Sequence, residues 1–231
     1  MNYGYAPLGP ALALPLDPED ESDRLCIQLY QHAVGAVDLR EADVLEVGSG
    51  RGGGASYVSR YLQPRSVTGL DFSPEAVDLC DRNRTSPGLS FTRGDAQAMP
   101  FPDGSFDAVI NIESSHCYPS MERFLSEVRR VLRPGGSFLF ADLRPRDGLD
   151  TLRGQFQASQ LTLVDESEIT ANVLMALRLD NDRKLQLIQD LIPWPLRRPF
   201  RAFAGIEGTM NYNGFADGRL VYVSAHLTRG S

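Results

Sequence analysis

Apolar and polar residues follow two alternating periods along the chain, and these periods predict strands and helices in turn. Segments of strand length that are rich in apolar residues lie at 43–47, 66–70, 89–93, 106–111 and 137–141. Between them, apolar residues recur every three or four positions, as on one face of a helix. The clearest stripe is "MERFLSEVRRVL", which ends at Pro134, Gly135 and Gly136. Strands that alternate with helices predict an α/β fold with a mostly parallel sheet covered on both faces.

The pattern changes after Pro145. A helix is predicted near 148–159, a strand at 161–165 and a last strand at 220–227. We therefore expect a helical cap, residues 167–217, inserted before the last strand, with the stretch "IPWPLRRPF" breaking helicity. About half of the large side chains of this cap are expected to pack in the core. They are Trp194, Phe200, Phe203, Met210, Tyr212 and Phe215.

The N-terminal residues show no apolar period. Residues 1–20 contain four prolines, which predicts an irregular arm rather than a core element. A helix is predicted next, at about 20–38, and we expect residues 21–231 to form a single domain. Two interpretations of the stretch "NYGYAP" stay open. Its aromatic residues could fold over a bound ligand as a lid, or the stretch could be a disordered terminus.

Composition is that of a globular protein, with 42% hydrophobic and 9% aromatic residues. The net charge of −7 disfavours general binding to nucleic acid or anionic membranes. Arg197, Arg198 and Arg201 form a local basic cluster, for which a solvated face or a helix end is the simpler interpretation.

The lack of a recognisable targeting signal and the pattern of cysteines predict a cytoplasmic protein. No run of 18 apolar residues predicts a membrane span, and the N-terminus lacks the basic and apolar regions of a Sec-type signal. Cys26, Cys80 and Cys117 are odd in number and far apart. They predict neither a disulfide framework nor a zinc site, and they fit a reducing compartment. No cluster predicts a metal site, and a magnesium site made only of carboxylates stays open as an alternative because the chain has 30 acidic residues.

The glycine-rich segment "VLEVGSGRGGG" runs directly from a predicted strand into a predicted helix. Glycines let a backbone turn tightly and approach a ligand, and the helix that follows offers free N–H groups. Gly48, Gly50 and Gly53 match the dinucleotide fingerprint G-x-G-x-x-G, but Glu46, Gly48, Gly50 and Gly52 also match the E-x-G-x-G-x-G pattern of S-adenosylmethionine (SAM) enzymes. Charge favours SAM, because an acid suits its ammonium group and not a pyrophosphate.

Further acids follow the next two predicted strands. Asp71 could accept both ribose hydroxyls, although a nicotinamide site would use an acid there too. Asp95 could accept a hydrogen bond from the adenine amino group, with Ala96 offering its backbone and Phe72 lying against the ring. The alternative for Asp95 is a turn or cap residue. The full set of predicted cofactor-binding residues is Glu46, Gly48, Ser49, Gly50, Gly52, Asp71, Phe72, Gly94, Asp95, Ala96 and Asn111.

Four motifs in order resemble class I SAM-dependent methyltransferases: "VLEVGSGRGGG", "GLDFSPEA", "RGDAQAMPFPDGSFDAVIN" and "VLRPGGSFLFAD". This resemblance implies a Rossmann-like, seven-stranded sheet with an antiparallel last strand, and a SAM site at its carboxyl edge. The segments "NIESSHCYP", "FADLRP" and "LCIQLYQHAV" resemble more closely the phthiotriol/phenolphthiotriol dimycocerosate O-methyltransferases. More distantly they are similar to sterol and natural-product sugar methyltransferases, and sterol methyltransferases have an aromatic–glycine stretch near the N-terminus.

The segment "NIESSHCYP" brings a candidate base to the end of the fourth strand. His116 would titrate near the pH at which a general base works, about 6.5. Asp142 ends the neighbouring strand and could orient the imidazole, as an acid does in other base pairs. The sugar methyltransferases, by resemblance, have a histidine and an aspartate at corresponding places. The alternatives are a locally hydrogen-bonded loop histidine and a structural contact from Asp142 to Arg144 or the cap.

The other polar residues are assigned lesser roles. We expect Glu113 and Asn111 to be cofactor-side or structural rather than catalytic, and His32 and His226 to be structural.

These residues predict methyl transfer from SAM to a hydroxyl of a small, largely apolar natural product or lipid. C- or N-methylation of a small molecule stays open as an alternative, as does a SAM-binding cyclase that transfers no methyl group. A nicotinamide oxidoreductase is the remaining rival. Nucleic-acid base methylation is disfavoured, because "NIES" replaces the Asn/Asp-Pro-Pro-aromatic stretch that grips a planar amino group. The expected partner is a small-molecule acceptor, with the protein a monomer or homodimer.

Overall fold

A computed structural model describes residues 2–35 and 37–230. Met1, Ala36 and Ser231 lie outside the described residues, so the predictions that included them are untested there. The strands are β1 (Asp43–Val47), β2 (Ser66–Asp71), β3 (Leu89–Arg93), β4 (Phe106–Ile112), β5 (Leu132–Pro145), β6 (Leu161–Glu168) and β7 (Leu220–Arg229). The α-helices are α1 (Arg24–Val34), α2 (Gly53–Tyr61), α3 (Pro74–Asn83), α4 (Met121–Val131), α5 (Leu149–Ala158), α6 (Thr170–Leu179), α7 (Asn181–Leu191), α8 (Arg197–Phe203) and α9 (Met210–Ala216). Single 3-10 turns lie at Pro18–Asp23, Ser115–Cys117, Arg146–Gly148 and Trp194–Leu196.

The strands form one sheet in the order β3-β2-β1-β4-β5-β7-β6. All neighbouring pairs are parallel except those of β7, which is antiparallel to both β5 and β6. The predicted Rossmann-like sheet with an antiparallel last strand is confirmed. The strand order reverses between β1 and β4, and in open α/β sheets a ligand crevice forms outside the carboxyl ends of the strands at such a point.

Each strand alternates its side chains between two apolar layers, one on each face of the sheet. Val44 belongs to the layer that packs against α1, α2 and α6, whereas Leu45 belongs to the layer that packs against α4 and α5. Because both faces are covered, the central strands are apolar almost throughout. The predicted stripe of α4 is fully buried: Phe124, Leu125, Val128 and Val131.

The N-terminal segment is irregular up to residue 17, but its first residues pack in the core. The backbone N–H of Tyr3 donates to Glu113 Oε2 at 2.7 Å, and its hydroxyl accepts from Asn211 Nδ2 at 2.8 Å. The prediction that this arm is not a core element is therefore wrong for residues 2–6. Hydrogen bonds to α1 and to groups more than one hundred positions away hold them, and no local period encodes such bonds.

The predicted helical insertion lies between β6 and β7 and consists of α6, α7, α8 and α9. Two details of the prediction are wrong. Helix α8 forms where a break was expected, because Pro199 sits in its first turn, where a missing N–H costs no hydrogen bond. Helix α9 was not predicted. Of the six large side chains considered in this insertion, Tyr212 and Phe215 are buried and the other four are exposed.

No helix in the described part of the chain combines the length and the apolar character that crossing a bilayer requires.

Candidate functional site

The glycine loop joins β1 to α2 through a series of left-handed residues. Gly48 has φ +76°, Gly50 +54° and Gly52 +70°, a region that favours glycine. The N–H groups of Gly48 and Ser49 both donate to the carbonyl of Leu70, at 2.8 and 3.0 Å. These bonds fix the loop against the end of β2. Glycine occupies these positions because a residue with a side chain would be strained in this backbone conformation.

The loop leaves space on one side and is tightly packed on the other. A Cβ atom built on Gly50 or Gly53 would meet no heavy atom of the described residues within 4 Å. On Gly48 it would lie 2.4 Å from Ser114 Oγ, and on Gly54 it would lie 2.0 Å from Cζ of Tyr30. Gly50 and Gly53 therefore face a cavity, whereas Gly48 and Gly54 pack against neighbouring elements.

That cavity has a volume of about 320 Å³. Its wall is formed by the glycine loop, by Ile27 and Tyr30 of α1, by Asn2 and by Glu113. Ligand sites in proteins commonly have volumes of about 300 to 1,000 Å³. Loop, helix and N-terminal segment thus meet around a space of ligand size at the carboxyl edge of the sheet.

Glu46 lies beneath the loop, near the end of β1, and is 1% exposed. Its Oε1 accepts a hydrogen bond from the hydroxyl of Tyr30. Oε2 has no hydrogen-bond partner among residues 2–35 and 37–230. Burial raises the pKa of Glu46 to about 7 even though the hydrogen bond from Tyr30 opposes the shift. A cationic group beside Oε2 would satisfy the atom and restore the ionised form.

Glu113 is a half-buried carboxyl group in the wall of the cavity. Oε2 accepts from the N–H of Tyr3 at 2.7 Å and from the hydroxyl of Tyr222 at 3.2 Å. Burial raises the pKa of Glu113 to about 7. Its φ of +51° is left-handed, which is uncommon for a residue with a side chain. This strained position aims the carboxyl group at the N-terminal segment.

Asp71 is the last residue of β2, which is one residue longer than predicted, and Phe72 follows it. Asp71 Oδ2 accepts from the N–H of Gly50 at 2.7 Å, and Oδ1 accepts from the N–H of Ser73 at 2.9 Å. Each carboxylate oxygen can accept a further bond, so Asp71 can still bind two hydroxyl groups. Phe72 is 71% exposed beside it and offers an aromatic face to solvent.

The third acid, Asp95, closes a tight turn. Its Oδ1 accepts from the N–H of Gln97 at 2.8 Å, which is the turn role weighed as the alternative. Ala96 is buried, and the N–H of Gly94 donates to the carbonyl of Asp71 at 2.9 Å. The ends of β2 and β3 are thereby joined into one continuous edge.

Asn111 lies under the loop and is fully buried. Its Nδ2 donates to the carbonyl of Val47 at 2.9 Å, to Ser114 Oγ at 2.7 Å and to the hydroxyl of Tyr118 at 3.1 Å. Its Oδ1 has no partner within the described residues. These bonds link the ends of β1 and β4 to the segment that carries His116.

The structure brings His116 and Asp142 together. His116 Nδ1 lies 2.7 Å from Asp142 Oδ1, and the backbone N–H of His116 donates to Oδ2 at 2.9 Å. An ionised carboxylate only accepts hydrogen bonds, so Nδ1 carries the proton and Nε2 keeps a free lone pair. The hydrogen bond to Asp142 raises the pKa of His116, although partial burial of the ring opposes the shift.

Asp142 is fully buried and makes the contact with Arg144 that was weighed as the alternative. Arg144 Nη1 lies 3.1 Å from Oδ2, and the hydroxyl of Ser115 donates to the same oxygen at 2.6 Å. Burial alone would raise the pKa of Asp142, but the hydrogen bond from His116 and the charge of Arg144 outweigh it and lower the pKa. The carboxylate therefore serves both neighbours.

The Methyltransferase domain family matches residues 45–140. The phthiotriol/phenolphthiotriol dimycocerosates methyltransferase of Mycobacterium leprae (strain TN) is 43% identical over 222 residues, 96% of this chain and 82% of that protein. The chain belongs to the class I SAM-dependent methyltransferases. A fatty-acid O-methyltransferase of Mycolicibacterium smegmatis is 41% identical over 197 residues, 85% of this chain and 72% of that protein. The predicted family is confirmed.

The fold of this methyltransferase also matches solved structures. The crystal structure of geranyl diphosphate C-methyltransferase from Streptomyces coelicolor A3(2), in complex with Mg²⁺, geranyl diphosphate and S-adenosylhomocysteine, has a TM-score of 0.68. Identity is 17%, over 99% of this chain and 91% of that one. Membership of the family excludes the nicotinamide oxidoreductase considered as a rival.

The sequence reasoning missed three contributors to the methyltransferase site. Tyr30 binds Glu46, Tyr222 binds Glu113, and Ser115 links Asp142 to Arg144 through bonds of 2.6 Å on each side. The only sequence signal for Tyr30 was Gly54. A glycine is unfavourable inside a helix, and here it leaves room for the ring of Tyr30. The prediction that His32 and His226 are structural agrees with their contacts, a stack on Tyr5 and a hydrogen bond to Ser137.

The two adjacent glycines at the start of α2 offer a matched test of the loop. In Gly54→Ala the new methyl group meets the ring of Tyr30 in a packed interior, so we expect the free energy of unfolding to fall by about 1–3 kcal/mol. In Gly53→Ala the methyl group enters the cavity, so stability is retained and the affinity for S-adenosylhomocysteine falls. Thermal unfolding and calorimetric titration measure the two effects. Equal behaviour of the two variants would contradict the packing described here.

Proposed function

We propose that this methyltransferase transfers a methyl group from SAM to a hydroxyl group of a largely apolar lipid or natural product, with His116 as general base. The observation that carries the proposal is the 2.7 Å contact between His116 Nδ1 and Asp142 Oδ1. It leaves Nε2, on a side chain that is 33% exposed, as a hydrogen-bond acceptor. Such a nitrogen is what a hydroxyl nucleophile needs.

The glycine loop that lines the cavity and the acids at the neighbouring strand ends fit SAM. The unpaired Oε2 of Glu46 suits the ammonium group, and Gly50 and Gly53 leave room for the amino-acid portion against the loop. Asp71 would hold the ribose, and Asp95 with its neighbours would hold the adenine. When bound, SAM supplies a methyl group on a sulfonium, which is already activated for transfer. The protein has to place the acceptor, exclude water and remove a proton.

The wall of the cavity includes Asn2 from the N-terminal segment, and Tyr3 bonds to Glu113 beside it. We propose that the arm, residues 1–20, covers the amino-acid end of the cofactor and shields it from water, while residues 21–231 form the catalytic domain. Peptide segments that close over active sites serve this purpose in many enzymes.

Proton removal falls to His116 in this proposal. Nε2 accepts the proton of the acceptor hydroxyl as the oxygen attacks, and the imidazole becomes an imidazolium. Asp142 carries a full negative charge 2.7 Å from the other ring nitrogen and stabilises that cation. Arg144 and Ser115 hold the carboxylate in place, so the ring keeps one orientation.

The acceptor class rests on the relatives and on this base. The names of two relatives, at 43% and 41% identity, place lipids among their acceptors. A fatty acid is already ionised at neutral pH and needs no base, since its pKa lies near that of other carboxyl groups at about 4. A buried aspartate behind a histidine is useful only for an acceptor that must lose a proton. This favours an alcohol over a carboxylate.

The test is a comparison of three long-chain acceptors that differ in one group: a secondary alcohol, the matching carboxylic acid and the methyl ether of the alcohol. We expect formation of S-adenosylhomocysteine and a product heavier by one methylene with the alcohol. The ether is the control and should give neither. Preference for the acid would overturn the role of the base, and methylation at carbon, or no methylation of the alcohol, would overturn the proposal as a whole.

A further inference from the structure

The insertion between β6 and β7 exposes a group of large apolar side chains. They are Leu191, Trp194, Leu196, Phe200, Phe203 and Met210, and we call them the cap patch. Trp194 is 80% exposed and Phe203 is 69% exposed. Proteins rarely leave several large apolar residues together in water unless the surface binds something.

Helix α8 at the centre of the patch faces outward with its apolar side. Leu196, Phe200 and Phe203 are spaced by four and three residues, so they lie on one face of the helix. All three are exposed, and each residue of α8 is at least partly accessible. A helix of a globular protein normally turns such a face towards the core. The exposed apolar face of α8 therefore indicates that an apolar partner outside the molecule binds there.

The same segment is strongly basic. Residues 191–206 contain Arg197, Arg198 and Arg201 and no acidic residue, although the whole chain has a net charge of −7. Arg197 caps α7 by donating to the carbonyls of Ile192 and Gln189, which is the helix-end role expected from the sequence. Arg198 and Arg201 are exposed, and neither forms an ion pair with a residue that the structure describes.

We propose that the cap patch docks this methyltransferase onto an anionic membrane surface. An amphipathic helix with aromatic residues on one face and arginines on its polar face binds the interface of a bilayer, with its apolar face among the acyl chains. Tryptophan is enriched at that depth. Each arginine near an anionic leaflet strengthens binding about five-fold. Arg198 and Arg201 have the charge that such a surface attracts.

A second copy of the chain is the competing occupant. In a two-fold symmetric dimer a surface meets the same surface of its partner. Near the two-fold axis of such a dimer, Arg198 and Arg201 on the same segment as the cap patch would meet the equivalent arginines, and like charges repel at an interface. Charge complementarity therefore favours the anionic membrane.

The position of the patch connects it to the catalytic strand. Met210 also lines an open groove of about 710 Å³, together with Pro145 and Arg146 at the end of β5. The same strand carries Asp142 three residues earlier. Docking through the patch would place this groove at the membrane surface, where an apolar acceptor is dissolved. The docking itself does not depend on the identity of the acceptor.

Trp194 is the single tryptophan of the chain, so its fluorescence reports on the patch directly. We would add vesicles of phosphatidylcholine with about one-third phosphatidylglycerol, and separately vesicles of phosphatidylcholine alone. We expect a blue shift of the emission and co-sedimentation with the anionic vesicles, both weakened by added salt. An equal response to both vesicle types would overturn the electrostatic part of the proposal. The absence of any response to vesicles would overturn the whole proposal.

Two double variants test the two components separately. Arg198→Glu with Arg201→Glu should weaken vesicle binding by at least about 25-fold, from five-fold per arginine. Phe200→Ala with Phe203→Ala should also weaken it and leaves Trp194 as the probe. Leu163→Ala with Val164→Ala, at exposed apolar positions of β6, is the matched control and should bind as the parent does.

Unchanged binding of S-adenosylhomocysteine shows that each variant is folded. Wild-type vesicle binding in both patch variants would overturn the proposal. A blue shift that grows with protein concentration before vesicles are added would overturn it too, because a second copy would then cover the patch. Failure of the acceptor test above would leave these results unaffected.

Discussion

His116→Asn is expected to slow methyl transfer to a hydroxyl acceptor by about 10²–10⁴-fold, the usual contribution of a positioned general base. Asparagine is chosen because its amide can still donate to Asp142, as Nδ1 does now. It has no nitrogen that can accept the proton of the acceptor. The change therefore removes the base and keeps the local hydrogen bond. Turnover under saturating acceptor and SAM measures the loss.

Two further readouts separate the base from a structural role. Binding of S-adenosylhomocysteine should stay within about two-fold, and so should the rate of the neighbouring exposed variant Cys117→Ser. In the unsubstituted enzyme the rate should fall as the pH drops through the pKa of His116, because the protonated ring cannot accept a proton. Asp142 raises that pKa above 6.5, so the midpoint should lie above 6.5. A His116→Asn enzyme with nearly full activity would assign the reaction to an acceptor that needs no base.

Asp142→Asn is expected to lower the free energy of unfolding by about 3–5 kcal/mol, the range found when one partner of a buried ion pair is removed. Asp142 accepts hydrogen bonds from Ser115, from the backbone and ring of His116 and from Leu143, and it pairs with Arg144. An amide has one acceptor oxygen and cannot satisfy these donors. Arg144 would keep its charge, at 13% exposure, without a carboxylate.

The sign of the pH dependence adds a second check. The pKa of Asp142 is lowered, so its stabilisation is present above the unfolded pKa of 3.8 and is lost as the pH falls through the folded value. The pKa of His116 is raised, so its part is complete below 6.5 and is lost as the pH rises through the folded value. The stability gap between parent and variant should thus be larger at a pH of about 5.5 than at about 9.

Chemical denaturation at both pH values measures this gap. Asp147→Asn, at an exposed position five residues later, is the control and should change stability by less than about 0.5 kcal/mol. A variant at position 142 that is as stable as the parent would mean that the network around this carboxylate is not formed.

Local signals in the sequence were sufficient for the sheet and for the acids at its edge. The strands at 43–47 and 89–93 were predicted with their observed bounds, because a glycine follows each apolar run and Pro87 and Gly88 precede the second. Parallel strands bring their carboxyl ends to one edge, so Glu46 and Asp71 had to lie near each other. The contact of His116 with Asp142 followed from the same rule, since β4 and β5 are neighbours.

Contacts between distant segments could not be predicted. Tyr3 reaches Glu113 and Asn211, and neither partner shares a period or a motif with it. The contact of Tyr30 with Glu46 could be predicted only by knowing that α1 packs against the start of α2. Helix α8 was missed for a different reason. Proline argues against a helix interior, yet Pro199 occupies a first-turn position where its ring is tolerated.

The place of β7 in the sheet has a consequence for how the chain is made. Among the described strands, β6 hydrogen-bonds only with β7, and β7 also covers the edge of β5 from Ser137 to Pro145. A nascent chain that has not yet released residues 220–229 from the ribosome holds at most five strands in register. Until then β5 presents an open edge that carries Phe138 and Phe140, the kind of edge on which unfinished chains associate. Synthesis of this one segment completes the sheet and closes that edge.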